Sequence, residues 1–118
     1  MSYLLLVVER ADSRKDRPPE DRRRAREQMM RFGESLKAQG VLKASESLRS
    51  VSEGVRIEAH GGKRTVVDGP FAEAKEIVGG FFLLDCTSKE QAIAIASTCP
   101  AIEWAAVEVR EVGPCDDD

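Results

Sequence analysis

Residues 66–86 read VVDGPFAEAKEIVGGFFLLDC. A stiff Asp68-Gly69-Pro70 corner and Phe71 lead into three charges, Glu73, Lys75 and Glu76, and then into GGFFLLDC at 79–86, which is apolar at positions that would face both sides of a sheet. A strand that is apolar on both faces is a strand covered on both faces. SYLLLVVE at 2–9 has the same character. Side chains alternate along a strand, so Tyr3, Leu5 and Val7 point one way and Leu4, Leu6 and Val8 the other. These two runs are expected at the centre of one sheet.

Working outward, ADSRKDRPP at 11–19 reads as a polar loop, with Pro19 at the first helical position and Glu20 and Asp21 near the positive end of the helix dipole. Ala25, Met29, Phe32 and Leu36 then recur at helical spacing as far as Gly40, which suits a left-handed cap. VLKASESL at 41–48 reads as a strand, and VRIEA (55–59) and RTVVD (64–68) as a hairpin joined through HGGK. Thr87 and Glu90 have the spacing of a capping box ahead of a second helix marked by Ala92, Ile95, Ala96 and Cys99 and ended by Pro100. WAAVEVREV at 104–112 is the last expected strand.

The order β-α-β-(β-β)-β-α-β implies a ferredoxin-like α+β sandwich with an inserted hairpin. Two helices cover only one face of such a sheet. A second copy of the chain is the expected cover for the other, which makes the protein a homodimer. Residues 1–113 are expected to form one domain, with an acidic tail at 114–118.

The 118 residues carry a net charge of −3 with 33% charged residues, which argues against nucleic acid as a partner. The basic run at Arg22–Arg26 sits between acidic residues and reads as a solvated helix face. No apolar run has the length of a membrane span, so no membrane partner and a cytoplasmic location are expected. Three cysteines without ligand spacing and a single histidine, His60, point to reduced thiols, no metal site and no cofactor.

DGPFAEAKEIVGGFFLLD at 68–85 closely resembles the signature of the YciI-like (YCII-related) family, in the subgroup named for its Asp-Gly-Pro-Phe motif. The likeness extends to the opening YLLLV, to GVLKASESL at 40–48 and to VEVR at 107–110. It implies a dimeric α+β barrel with a pocket between subunits. Relatives in that family look like companions of sigma factors or small enzymes of aromatic-compound breakdown. In the wider family the suggested acid/base pair is a helix histidine with a nearby aspartate. Here the histidine's place falls near Met29, the helix has no histidine, and Glu9 is the carboxylate left in that region.

An unknown small molecule is therefore the expected ligand, and a cofactor-free lyase or isomerase the expected activity, with a ligand-binding or regulatory module as the alternative. Asp68 can set the corner as an Asx turn or serve as a general base. Glu73 and Lys75 share one side of an extended segment and suit an acid/base pair. Gly69 and Pro70 stiffen the corner, Phe71 would wall the pocket, and these three with Glu9 are the expected ligand-binding residues. Gly79 and Gly80 suggest a β-bulge.

Overall fold

A computed structural model describes residues 1–71 and 74–115. Four strands, β1 (Ser2–Arg10), β2 (Leu42–Ser47), β5 (Glu76–Asp85) and β6 (Ala106–Glu111), form one antiparallel sheet in the order β2-β5-β1-β6. The two doubly apolar runs, β1 and β5, are the central pair, as the ferredoxin-like arrangement requires. The main helices are α2 (Pro19–Ala38) and α3 (Lys89–Ser97). A separate two-stranded sheet, β3 (Val55–His60) with β4 (Lys63–Asp68), is the inserted hairpin.

The alternation in β1 sorts the two faces. Tyr3, Leu5 and Val7 are buried under the helices with Phe82 and Leu84 of β5, Phe32 and Leu36 of α2, and Ala92 and Ala96 of α3. Phe32 and Phe82 meet edge to face, with centroids 5.1 Å apart. Each fully buried Leu of this layer contributes about 1.5–3 kcal/mol. On the opposite face Leu4 pairs with Leu83 and Leu6 with Phe81, and all four remain only half-buried.

Helix ends follow their sequence signals, with one shift. Gly40 at φ 76° closes α2 in a Schellman arrangement, its own N–H reaching Lys37 O and the Val41 N–H reaching Leu36 O. The expected Thr87/Glu90 box is displaced by one residue: Ser88 caps α3 by accepting from the Gln91 N–H, and Gln91 Oε1 accepts from the backbone N–H of Thr87. Ser88 has the extended backbone a cap needs, and the amide of Gln91 reaches back where Glu90 does not. The last strand starts at Ala106 rather than Trp104, because Pro100–Glu103 forms a 3-10 turn with Trp104 at its end. The supposed loop at 11–19 contains a four-residue helix, α1 (Ser13–Asp16), too short to show helical periodicity.

Pairing of β1 with β5 slips between Val7 and Val8, where Val7 faces Gly80 and Val8 faces Val78. Gly79 is the extra residue, so the expected bulge is present.

The hairpin turns through Gly61 (φ 56°) and Gly62 (φ 83°), a two-residue turn that needs positive φ at both positions. Its register places Val55, Ile57, Ala59, Arg64, Val66 and Asp68 on one face. Arg56, Glu58 and His60 share the other, where Glu58 pairs with both basic side chains. The Asp68-Gly69-Pro70-Phe71 corner fastens the hairpin's root. The Gly69 N–H donates to Gly54 O at 2.8 Å, and a Cβ on Gly69 would collide with the Val51 carbonyl oxygen. The Arg56 guanidinium lies 4.4 Å from the centre of the Phe71 ring, a cation–π contact.

Candidate functional site

A cleft of about 640 Å³ opens between α2 and the β2–β5–β1 part of the sheet. Its apolar lining comes from Val7, Ala25, Met29, Met30, Leu42, Phe82 and Trp104, and the floor strand is β5, entered through Gly79 and Gly80. Among its lining residues are the cations Arg14, Arg17, Arg22, Arg26 and Lys37 and the carboxylates Glu9, Glu34 and Glu46. A protein of net charge −3 thus has a cleft with more positive than negative side chains.

Glu9 closes β1 on the helix-covered face and is 5% exposed, the one buried charged side chain among the described residues. Two features give it room and company. Gly79 leaves space for the carboxylate, because a Cβ there would stand 2.9 Å from Glu9 Cδ and Oε1. Arg14, carried by α1, brings its Nε to 2.6 Å from Glu9 Oε1. That approach is an ion pair by distance, but its angles fall short of a hydrogen bond, and Oε1 has no hydrogen-bond donor among the described residues. Coulomb attraction at this separation holds whatever the alignment, so Arg14 compensates the buried charge of Glu9.

The rest of the Arg14 fork is committed to the main chain: one terminal nitrogen donates to Leu48 O at 2.8 Å and the other to Gly79 O at 3.3 Å. One side chain therefore ties the end of β1, the bulge in β5 and the segment after β2. Farther along, the Arg17 guanidinium stacks 4.9 Å from the centre of the Trp104 ring. Arg22 and Arg26 are exposed and enter no ion pair among the described residues, whereas their neighbour Arg23 is paired with both Glu20 and Glu27.

Of the candidate site residues read from the sequence, Glu9 is the one among the described residues that lines this cleft, where Met29, Gly79 and Gly80 also stand. Asp68, Gly69, Pro70 and Phe71 sit at the hairpin root and do not line it. Lys75 is exposed, and its carbonyl accepts from the Ala11 N–H at 2.9 Å. Glu73 lies outside the described residues. Sequence reasoning passed over Arg14 and Arg17, and read Arg22 and Arg26 as part of a solvated helix face. For the last two a signal existed: Arg22, Arg26, Met29, Gly33 and Lys37 recur at four, three, four and four, a stripe on one helical face. Among the described residues no helix is long and apolar enough to cross a membrane, and no three His, Cys, Asp or Glu side chains gather as a metal site would need.

Comparison with known proteins agrees with this architecture. The structure of 5-chloro-2-hydroxyhydroquinone dehydrochlorinase (TftG) from Burkholderia phenoliruptrix AC1100, in complex with 2,5-dihydroxybenzoquinone, superposes with a TM-score of 0.53 at 15% identity, over 98% of this chain and 97% of that one. At that identity the likeness is one of fold. A stretch of 35 residues is 51% identical to the uncharacterized protein R00369 of Rhizobium meliloti (strain 1021), covering 30% of this chain and 28% of that protein's length. The YCII-related domain profile matches residues 1–116, and the chain belongs to the YCII-related family.

Proposed function

We propose that this protein binds a small organic anion with a flat apolar body in the cleft beneath α2. The observation that carries the reading is a cleft that holds one buried carboxylate, Glu9, and is also lined by Arg22 and Arg26, two exposed cations that enter no ion pair among the described residues. A ligand hydroxyl or enol would donate to Glu9, while Arg22 and Arg26 would meet the negative end and Met29 and Phe82 the ring or chain between. The family and the dehydrochlorinase-like fold support a proton transfer of lyase or isomerase type, with Glu9 taking the proton and the arginines stabilising the resulting anion. Asp68 and Lys75 would join such chemistry only where a partner subunit brought them to the ligand. The commitment of Arg14 to two carbonyls and to Glu9 favours a second reading, a rigid ligand-binding or regulatory module without turnover.

The same proposal makes the working unit a homodimer through the helix-free face of the sheet. Leu4, Leu6, Val8, Phe81 and Leu83 form an apolar field there, and no element of the described chain covers it. A field of that kind is what second copies bury.

Calorimetric titration with 2,5-dihydroxybenzoquinone and with hydroxybenzoates tests the cleft. Binding is expected to weaken as salt rises and to fall at least tenfold in an Arg22→Ala/Arg26→Ala double variant. Equal affinity in the double variant, or no binding of any member of the series, would sink the reading. Following the absorbance of bound ligand over hours separates turnover from binding alone.

A further inference from the structure

The β3–β4 hairpin is amphipathic and has nothing to be amphipathic for within its own chain. Ile57 and Val66, directly paired, are each 67% exposed, and Val55 on the same face is 55% exposed. The polar face, by contrast, is internally satisfied by the Arg56–Glu58–His60 set and by Arg56 on Phe71. Every residue of the ribbon except Glu58 is exposed. An isolated two-stranded ribbon is marginal in water, so a ribbon this regular is expected to have a surface to lie on.

We infer that the hairpin is an intersubunit arm, whose Val55, Ile57 and Val66 face seats on the helix-free sheet face of a second copy. This rests on the homodimer reading above. Area selects the occupant. Four strands about 4.8 Å apart and about 25 Å long present roughly 500 Å². A standard interface needs about 800 Å² per partner, so sheet against sheet falls short. An arm of two six-residue strands is about 20 Å long and 10 Å wide, roughly 200 Å². Each subunit would give one arm and receive one, which brings the buried area to roughly 700 Å² per subunit, inside the standard range of roughly 600–1,000 Å².

Symmetry points the same way. Each chain holds two uncovered apolar surfaces, the arm and the sheet face, and a two-fold axis satisfies both twice in a closed dimer. The arm is also set to reach outward: its root is fixed by the Gly69–Gly54 hydrogen bond and the close approach to Val51, while the ribbon beyond touches little of its own body.

Isotope-filtered NOE spectra of wild-type dimer mixed from labelled and unlabelled chains test the seat without any substitution. Contacts are expected from the Ile57 and Val66 methyls to Leu4, Leu6, Phe81 or Leu83 of the other chain. In parallel, an Ile57→Ser/Val66→Ser variant with unchanged circular dichroism is expected to raise the dimer Kd at least tenfold in sedimentation equilibrium. An unchanged Kd, or intersubunit contacts that leave out the hairpin, overturns the arm and leaves the sheet-face dimer standing. A wild-type monomer at micromolar concentration removes both.

Discussion

Glu9 occupies the space that a side chain on Gly79 would take, its carboxylate carbon only 2.9 Å from where that Cβ would lie. Here the glycine of a bulge and the buried acid of a neighbouring strand are one device. Gly79→Ala is expected to destabilise the fold by about 1–3 kcal/mol through overpacking. In a Glu9→Ala background the same change should cost at least about 0.5 kcal/mol less, since the clash has gone. Urea melts of the four proteins give the coupling. Strict additivity would show that the two residues do not share this space.

The two halves of the Glu9–Arg14 pair should be unequal. Glu9→Gln leaves an arginine that still serves Leu48 O and Gly79 O and is about one-third exposed. Arg14→Ala leaves a buried carboxylate with no compensating charge, at a cost of up to about 3–5 kcal/mol. The expected order of stability is wild type, then Glu9→Gln, then Arg14→Ala, with ligand binding lost in both variants. The reverse order would mean that Glu9 is already compensated from elsewhere.

At the hairpin root the prediction separates two adjacent motif residues. Gly69→Ala drives a methyl into the Val51 carbonyl, which cannot retreat without opening the Val51–Glu53 turn, so a loss of about 3 kcal/mol or more is expected. Asp68→Asn, on an exposed side chain, should stay within about 0.5 kcal/mol of wild type. Chemical denaturation decides, and a large loss at position 68 would show that its charge holds the corner.

Burial pushes the Cys86 and Cys99 thiols above the ordinary cysteine value, with Asp85 adding to the effect on Cys86. A thiol held neutral in the fold but free to ionise when unfolded stabilises fully below the ordinary thiol pKa, and that stability fades as pH rises through the raised one. Stability should therefore decline on the alkaline side. At pH 8 Ellman's reagent should find one fast thiol per native chain, the exposed Cys115, and three after denaturation. Two or more fast thiols in the native state would contradict the packing around α3.

What the sequence made legible followed strong periodic signals. The doubly apolar β1 and β5, the 3.6-residue stripe of α2 and the Gly61-Gly62 turn each have one physical solution, and the sheet order follows from them. Glu9 stood out as a charge closing an apolar run. Arg14 did not, because a single helical turn at Ser13–Asp16 carries no periodicity and its two carbonyl partners lie 34 and 65 residues away. The arginines of α2 were seen as a solvated face, which they are. That the same face overhangs a cleft depends on the tilt of a helix across a sheet, and no spacing along one helix encodes it. The Asp-Gly-Pro-Phe corner drew attention as chemistry, whereas its glycine answers to the backbone of a loop fifteen and more residues earlier.

The single extra residue in β5 also divides that strand into two reading frames. From Gly80 onward, even-numbered residues such as Phe82 and Leu84 look toward the helices; before it, Val78 pairs with Val8 on the bare face and Ile77 with Glu9 on the covered one. Deleting Gly79 would therefore merge the two frames into one unbroken alternation, leaving Ile77 covered and Val78 on the bare face but removing the bulge in which the Glu9 carboxylate finds its room. In a relative, a one-residue gap at this point would mark a strand with the same two faces and no bulge, and so a cleft furnished differently only beside the acid of β1.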